Sequence, residues 1–103
     1  MELDLKKPIA YTGNRFIKAN YVLYINGEPL YAGQSRDVLK RVAKHRSTLK
    51  NRSEFATGRV LEGFNWNCSD IVAKIFNEGA CIQDRLELES LIHQECETLL
   101  SKP

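Results

Sequence analysis

Apolar and polar residues follow two rhythms along this chain. Tyr21-Val22-Leu23-Tyr24-Ile25 is a run of β-branched and aromatic residues closed by Asn26-Gly27. Such a run ending on an Asn-Gly pair predicts a strand entering a tight hairpin. Leu30-Tyr31-Ala32 is the expected return strand, antiparallel to the first. The rhythm then becomes helical: Val38, Leu39, Val42, Ala43 and Leu49 recur at spacings that place them on one buried face. Ser35 is the expected N-cap of that helix, and Asp37 in its first turn suits the macrodipole. A second helix is expected over Glu54 to Phe64, with Phe55, Val60, Leu61 and Phe64 as its apolar contacts. The polar stretch from Asn65 to Asp70 reads as a connection. Ile71-Val72-Ala73-Lys74-Ile75-Phe76 predicts a third strand, and Glu78-Gly79 a turn. Asp84 to Leu100 predicts the last helix, with Leu88, Leu91, Ile92, Cys96 and Leu99 on its core stripe. Residues 1–18, broken by Pro8 and Gly13-Asn14, read as an extended lead-in to a domain spanning 19–103. The order β-β-α-α-β-α predicts an α+β fold: a small three-stranded sheet, mixed or antiparallel, flanked by helices.

Composition narrows the classes. A chain of 103 residues has room for one domain. No apolar run approaches the ~18 residues of a membrane helix, so no membrane partner is expected. Met1 to Ala10 lacks the apolar stretch of a secretory signal. The three cysteines, Cys68, Cys81 and Cys96, are odd in number and match no zinc or redox spacing. A reducing, cytoplasmic setting is therefore expected, with each cysteine a small buried hydrophobe. Net charge is only +2, but residues 36–59 carry eight Lys and Arg against two acids, whereas residues 60–103 carry three against eight. The concentrated positive segment attracts phosphate more than the net charge implies.

Five polar residues carry candidate chemistry. Tyr21 lies on the first strand and Tyr31 on the second. Arg41 and His45, four apart on the first helix, project from one face, with Asp37 one turn earlier in a position to orient the guanidinium. Glu89 lies on the last helix. The stretch from Asn20 to Ser35, followed by Asp37, Arg41 and His45, resembles the GIY-YIG nuclease family. Ala19-Asn20-Tyr21 stands at the GIY element and Tyr31-Ala32-Gly33 at the YIG element. Arg41 and His45 stand at the family's arginine and histidine. Leu88-Glu89-Ser90-Leu91-Ile92 is similar to the helical segment that holds its metal-binding glutamate. The resemblance covers about residues 19–95.

The resemblance implies a GIY-YIG-like fold and an endonuclease that hydrolyses DNA with a divalent cation, Mg²⁺ or Mn²⁺. It implies Tyr21 as the group that activates water. A free phenol titrates near pH ~10, so the expectation is that Arg41 and the cation lower Tyr21. His45, with an ordinary pKa of about 6.5, is its partner or substitute base. Tyr31 would fix the water or a phosphate oxygen. Arg41 offers phosphate a permanently charged fork. Glu89 would hold the metal, since Mg²⁺ commonly uses one or two carboxylates plus phosphate and waters. Glu87 is its rival, but the two lie ~200° apart on a helix, so only one faces the site. His93, four residues after Glu89, reads as its surface partner. Lys40, Lys44, Arg46, Lys50 and Arg52 would contact backbone phosphates and position the duplex. Gly33 is expected where the backbone packs closely or takes a positive φ. Tyr11 to Lys18 and Asn51 to Trp66 are candidates for substrate selection. Short free-standing chains of this kind resemble phage, mobile-element or repair nucleases, and a second copy could pair with the first to cut both strands. Two other readings compete: a nucleic-acid-binding module of the same fold without activity, and a protein-interaction domain whose basic stretch is incidental.

Overall fold

A computed structural model describes residues 1–10, 16–50 and 70–95. Their elements run β1 (Glu2–Asp4), β2 (Ala19–Ile25), β3 (Glu28–Ser35), α1 (Val38–Lys50), β4 (Ile71–Phe76) and α2 (Ile82–Glu95). The class is α+β, with one fully antiparallel sheet ordered β1-β4-β2-β3. That sheet has four strands rather than the expected three. The additional strand, β1, lies inside the segment expected as a lead-in. It is short and alternates charge with a single leucine, so its local pattern is weak. Its place is set by pairing with β4, Leu3 opposite Ala73, and by Leu5, which is fully buried beside it. The helix expected at 54–64, and Cys68, Cys96 and Leu99, lie outside the described residues.

The hairpin signal has a direct physical counterpart. Asn26 and Gly27 both take positive φ, 49° and 84°, as the tight turn matched to strand twist requires. The Asn26 side chain also accepts from the Asp70 backbone N–H at 2.7 Å, tying the turn to the start of β4. A bulge at Leu23/Tyr24 leaves Leu30 without a rung partner on β2, and Leu30 is fully buried. Pro29 sits on β3, an edge strand, where a missing N–H is tolerated.

Asp37, not Ser35, precedes the first helical residue of α1. Its carboxylate accepts from the Lys40 N–H at 3.5 Å, while the Ser35 hydroxyl accepts from the Asp37 N–H at 3.0 Å. Val38 N–H finds the Ile17 carbonyl at 3.0 Å, so a donor that no helical carbonyl can serve is satisfied. Val38, Val42 and Leu49 are buried as expected, joined by His45, whereas Leu39 and Ala43 are half-buried. These side chains cover a core of Ala19, Tyr21, Leu23, Ile71, Ala73 and Ile75.

The last helix departs further from expectation. Its one buried residue is Arg85; Leu88 and Ile92 are half-buried and Leu91 is 52% exposed. The stripe that meets the sheet is therefore Arg85, Leu88/Glu89 and Ile92, and Leu91 lies off it. Cys81, expected to be buried, is exposed just before α2. No helix among the described residues is long and apolar enough to cross a membrane.

Candidate active site

Strand alternation and one glycine build the site. Tyr21 on β2 is paired with Gly33 on β3. The Tyr21 ring lies over that glycine: a Cβ at position 33 would sit 2.7 Å from the phenolic oxygen and 2.9 Å from Cζ. Gly33 therefore serves close approach, with no positive φ involved. Two residues back along β3, Tyr31 points to the same face. His45 comes down from α1 to meet both rings. The three ring centroids form a triangle with sides 6.2 Å (Tyr21–Tyr31), 5.5 Å (Tyr21–His45) and 5.0 Å (Tyr31–His45). Within it, the Tyr21 hydroxyl lies 2.8 Å from Nε2 of His45.

Burial sets the protonation of this cluster. Tyr21 is 1% exposed. Burial, above all, pushes its phenol well above the usual range, helped by Tyr31 and by the charge of Glu89; Arg41 pulls the other way and loses. Arg41 thus acts in the expected direction on Tyr21, but burial outweighs it. Tyr31 is raised as well, again chiefly by burial, with Glu89 adding and Arg41 opposing. His45 is lowered from 6.5 to about 4, first by burial and then by the positive charges of Arg41 and Lys44. At neutral pH the ring is uncharged. With a bare Nε2 it accepts the Tyr21 proton in a hydrogen bond, and the Tyr21 oxygen keeps lone pairs for a further donor.

Arg41 and Glu89 both act on these two phenols from different helices, so all five expected residues belong to one electrostatic neighbourhood. Arg41 is exposed and Glu89 half-buried. Glu89 lies 3.8 Å from Nε2 of His93, its neighbour one turn on. Glu87 is exposed and accepts from Gln83 at 3.4 Å, on another side of the helix. No three His, Cys, Asp or Glu side chains gather into a metal cluster among the described residues. A divalent cation here would rest on Glu89 as its carboxylate. That suits a magnesium-like ion which keeps several waters and takes phosphate oxygens as further ligands.

Beside this cluster opens a cleft of about 870 Å³. Among the described residues, Lys18, Arg36, Lys40, Arg41, Lys44 and Arg85 line it, against one carboxylate, Asp37. Asp37 caps α1 through Lys40 N–H, so its carboxylate bonds the helix backbone rather than the Arg41 guanidinium. Of the five expected phosphate contacts, Lys40 and Lys44 are in the cleft wall. Lys50 is exposed at the far end of α1. Arg46 is half-buried and donates through Nε to the Leu5 carbonyl at 2.8 Å, which fastens the end of β1 to α1. Arg52 lies outside the described residues.

Two residues here escape sequence reasoning. Asn20, on the face of β2 opposite Tyr21, is fully buried; it donates to the Arg85 carbonyl at 2.9 Å and accepts from Asn77 at 3.1 Å. Arg85 is 4% exposed, with Nε donating to Gln34 Oε1 at 3.1 Å and Nη1 to the Ala80 carbonyl at 2.6 Å. An asparagine inside an otherwise apolar strand was the available signal for the first. Nothing local marks Arg85, since its acceptors are brought to it by the fold. No family model matches the chain, nor does any curated protein or solved structure.

Proposed function

We propose that this chain is a metal-dependent endonuclease of the GIY-YIG type, hydrolysing phosphodiester bonds in DNA. The observation that carries the reading is the 2.8 Å Tyr21–His45 contact inside a ring cluster on which Arg41 and Glu89 both act. Tyr21 takes a proton from the attacking water as it passes its own to Nε2 of the neutral His45. Neither group has to rest in an ionised form, which answers the high pKa of the buried phenol. Tyr31 orients the water or a phosphate oxygen. Arg41 holds the non-bridging oxygens, where positive charge develops most of its worth in the transition state. Glu89 would hold the cation, which when bound supplies charge for the leaving 3′-oxygen. Lys40 and Lys44 keep the strand in register along the cleft.

Supercoiled plasmid incubated with Mg²⁺ or Mn²⁺ tests the reading. Nicked or linear product is expected from the wild-type chain and none from Glu89→Ala or Tyr21→Phe with the fold retained. Wild-type-like cutting by both variants overturns it. Salt-sensitive binding without any cutting would instead leave a binding module, which the cationic cleft alone would support.

A further inference from the structure

Among the described residues, three cations of the cleft, Lys18, Arg36 and Arg85, have no part in the hydrolytic scheme. Lys18 lies just before β2 and Arg36 just after β3, and Ala19 pairs with Ser35, so the two flank one end of the hairpin. One rung further in, Asn20 pairs with Gln34, and these two side chains hold α2 through Arg85. Lys18, Arg36 and Arg85 thus line one region of the cleft, from three separate segments.

Arg85 is the unusual member. A guanidinium cannot shed its proton, so burying it leaves a permanent charge that must be compensated. Its two side-chain acceptors, Gln34 Oε1 and the Ala80 carbonyl, are neutral. No carboxylate bonds it among the described residues, and Nη2 has no protein acceptor there. The Gln34 and Ala80 bonds fix the plane of the fork, and Arg85 lines the cleft together with Lys18 and Arg36. A buried, oriented fork with no counter-charge suits a phosphate, which can accept two parallel N–H bonds.

We propose that Arg85, Lys18 and Arg36 form a second phosphate subsite, taking a backbone phosphate of the nucleic-acid strand away from the bond that is cut. The identity of the ligand rests on the nuclease reading; the anion site rests on Arg85 itself. This subsite gives the strand two fixed points, one at Arg41 and one at Arg85, and so sets its direction across the site without reading a base.

Binding of a short labelled DNA duplex, followed by fluorescence anisotropy in EDTA over a salt series, tests this apart from cleavage. Lys18→Ala with Arg36→Ala removes two exposed cations and is expected to lower the slope of log K against log salt by about 2, and Arg85→Gln by about 1. Lys74→Ala, at an exposed cation paired with Glu2 on the sheet, is the control and is expected to leave the slope unchanged. Unchanged slopes in the Lys18/Arg36 variant overturn the subsite even if Arg85→Gln fails to fold. An equal fall in Lys74→Ala overturns it too, by showing diffuse surface attraction. A wild-type chain that cuts plasmid while the slopes stay unchanged keeps the nuclease reading and loses the subsite. One that shows the slopes and never cuts loses the nuclease reading and keeps the subsite.

Discussion

Among the described residues, α1 and α2 each bury one ionisable side chain against the β2–β3 hairpin, and the two burials end differently. α1 brings down His45, 7% exposed, onto the face carrying Tyr21. α2 brings Arg85, 4% exposed, onto Gln34, one residue out of phase with Gly33 and therefore on the other face. An imidazole can answer burial by giving up its charge, and His45 does, falling to about 4. A guanidinium cannot, so Arg85 is furnished with carbonyl oxygens. The same desolvation makes a neutral proton acceptor in one place and a retained positive charge in the other. The site divides accordingly into an uncharged half of three rings and a charged half of Arg41, Glu89 and the cleft cations.

That division predicts which variants lose rate and which lose stability. The largest effect belongs to the charged half. Arg41→Ala is expected to slow plasmid cleavage by ~10²–10³, as for removal of one preorganised charge, while shifting stability by less than ~0.5 kcal/mol because the side chain is exposed. A comparable loss of stability in chemical denaturation would mean that Arg41 props up the fold instead.

The uncharged half should show itself in pH. An unfolded chain protonates His45 near its ordinary 6.5, whereas the folded chain does so only at about 4. Between those values the unfolded state binds more protons, so stability falls as pH falls. The full difference is about 3 kcal/mol, all of it present above pH 6.5 and gone below 4. Urea melts of wild type and His45→Gln across this window should converge toward the acid end. Parallel curves would show that His45 titrates normally. Cleavage should likewise hold between pH 6.5 and about 4, where His45 stays neutral, and fall only below that.

A smaller effect tests the ring packing. Gly33→Ala forces a methyl group into the Tyr21 phenol and should cost ~1–3 kcal/mol, measurable as a lower denaturation midpoint. A neutral substitution would place the Tyr21 ring elsewhere. Smallest of all, His93→Ala removes a partly exposed i,i+4 partner of Glu89 and should change stability by under ~0.5 kcal/mol. If it instead weakens Mn²⁺ affinity tenfold or more in a direct titration, His93 is a ligand and the metal site is larger than one carboxylate.

Much of the frame was legible because its signals are local. Asn26-Gly27 announces its turn by conformational preference, β4 is a continuous apolar run, and Val38, Val42 and Leu49 carry the helical period. The Tyr21, Tyr31, Arg41, His45 pattern could be placed on elements for the same reason. What escaped depends on partners distant along the chain. β1 has one apolar residue and gains its identity from β4. The net pKa of Tyr21 depends on how deeply α1 and β3 cover it, which no spacing reports. Arg85 sits among Asp84, Leu86 and Glu87, a sequence indistinguishable from a solvated helix face, and is buried because Gln34 and the Ala80 carbonyl await it. Arg46, counted by charge as a phosphate contact, is occupied by the Leu5 carbonyl.

The β2–β3 register places Tyr21 with Gly33 and Asn20 with Gln34 on consecutive rungs. A slip of β3 by a single rung would turn Gly33 and Tyr31 to the side of α2 and Gln34 to the side of α1, while β2, held by β4 as well, kept Tyr21 and Asn20 in place. The Asn26-Gly27 corner, which touches no substrate in the proposed scheme, therefore acts as the alignment pin of the ring cluster: lengthening that corner by one residue would part Tyr31 from Tyr21 while leaving every chemical group in the chain.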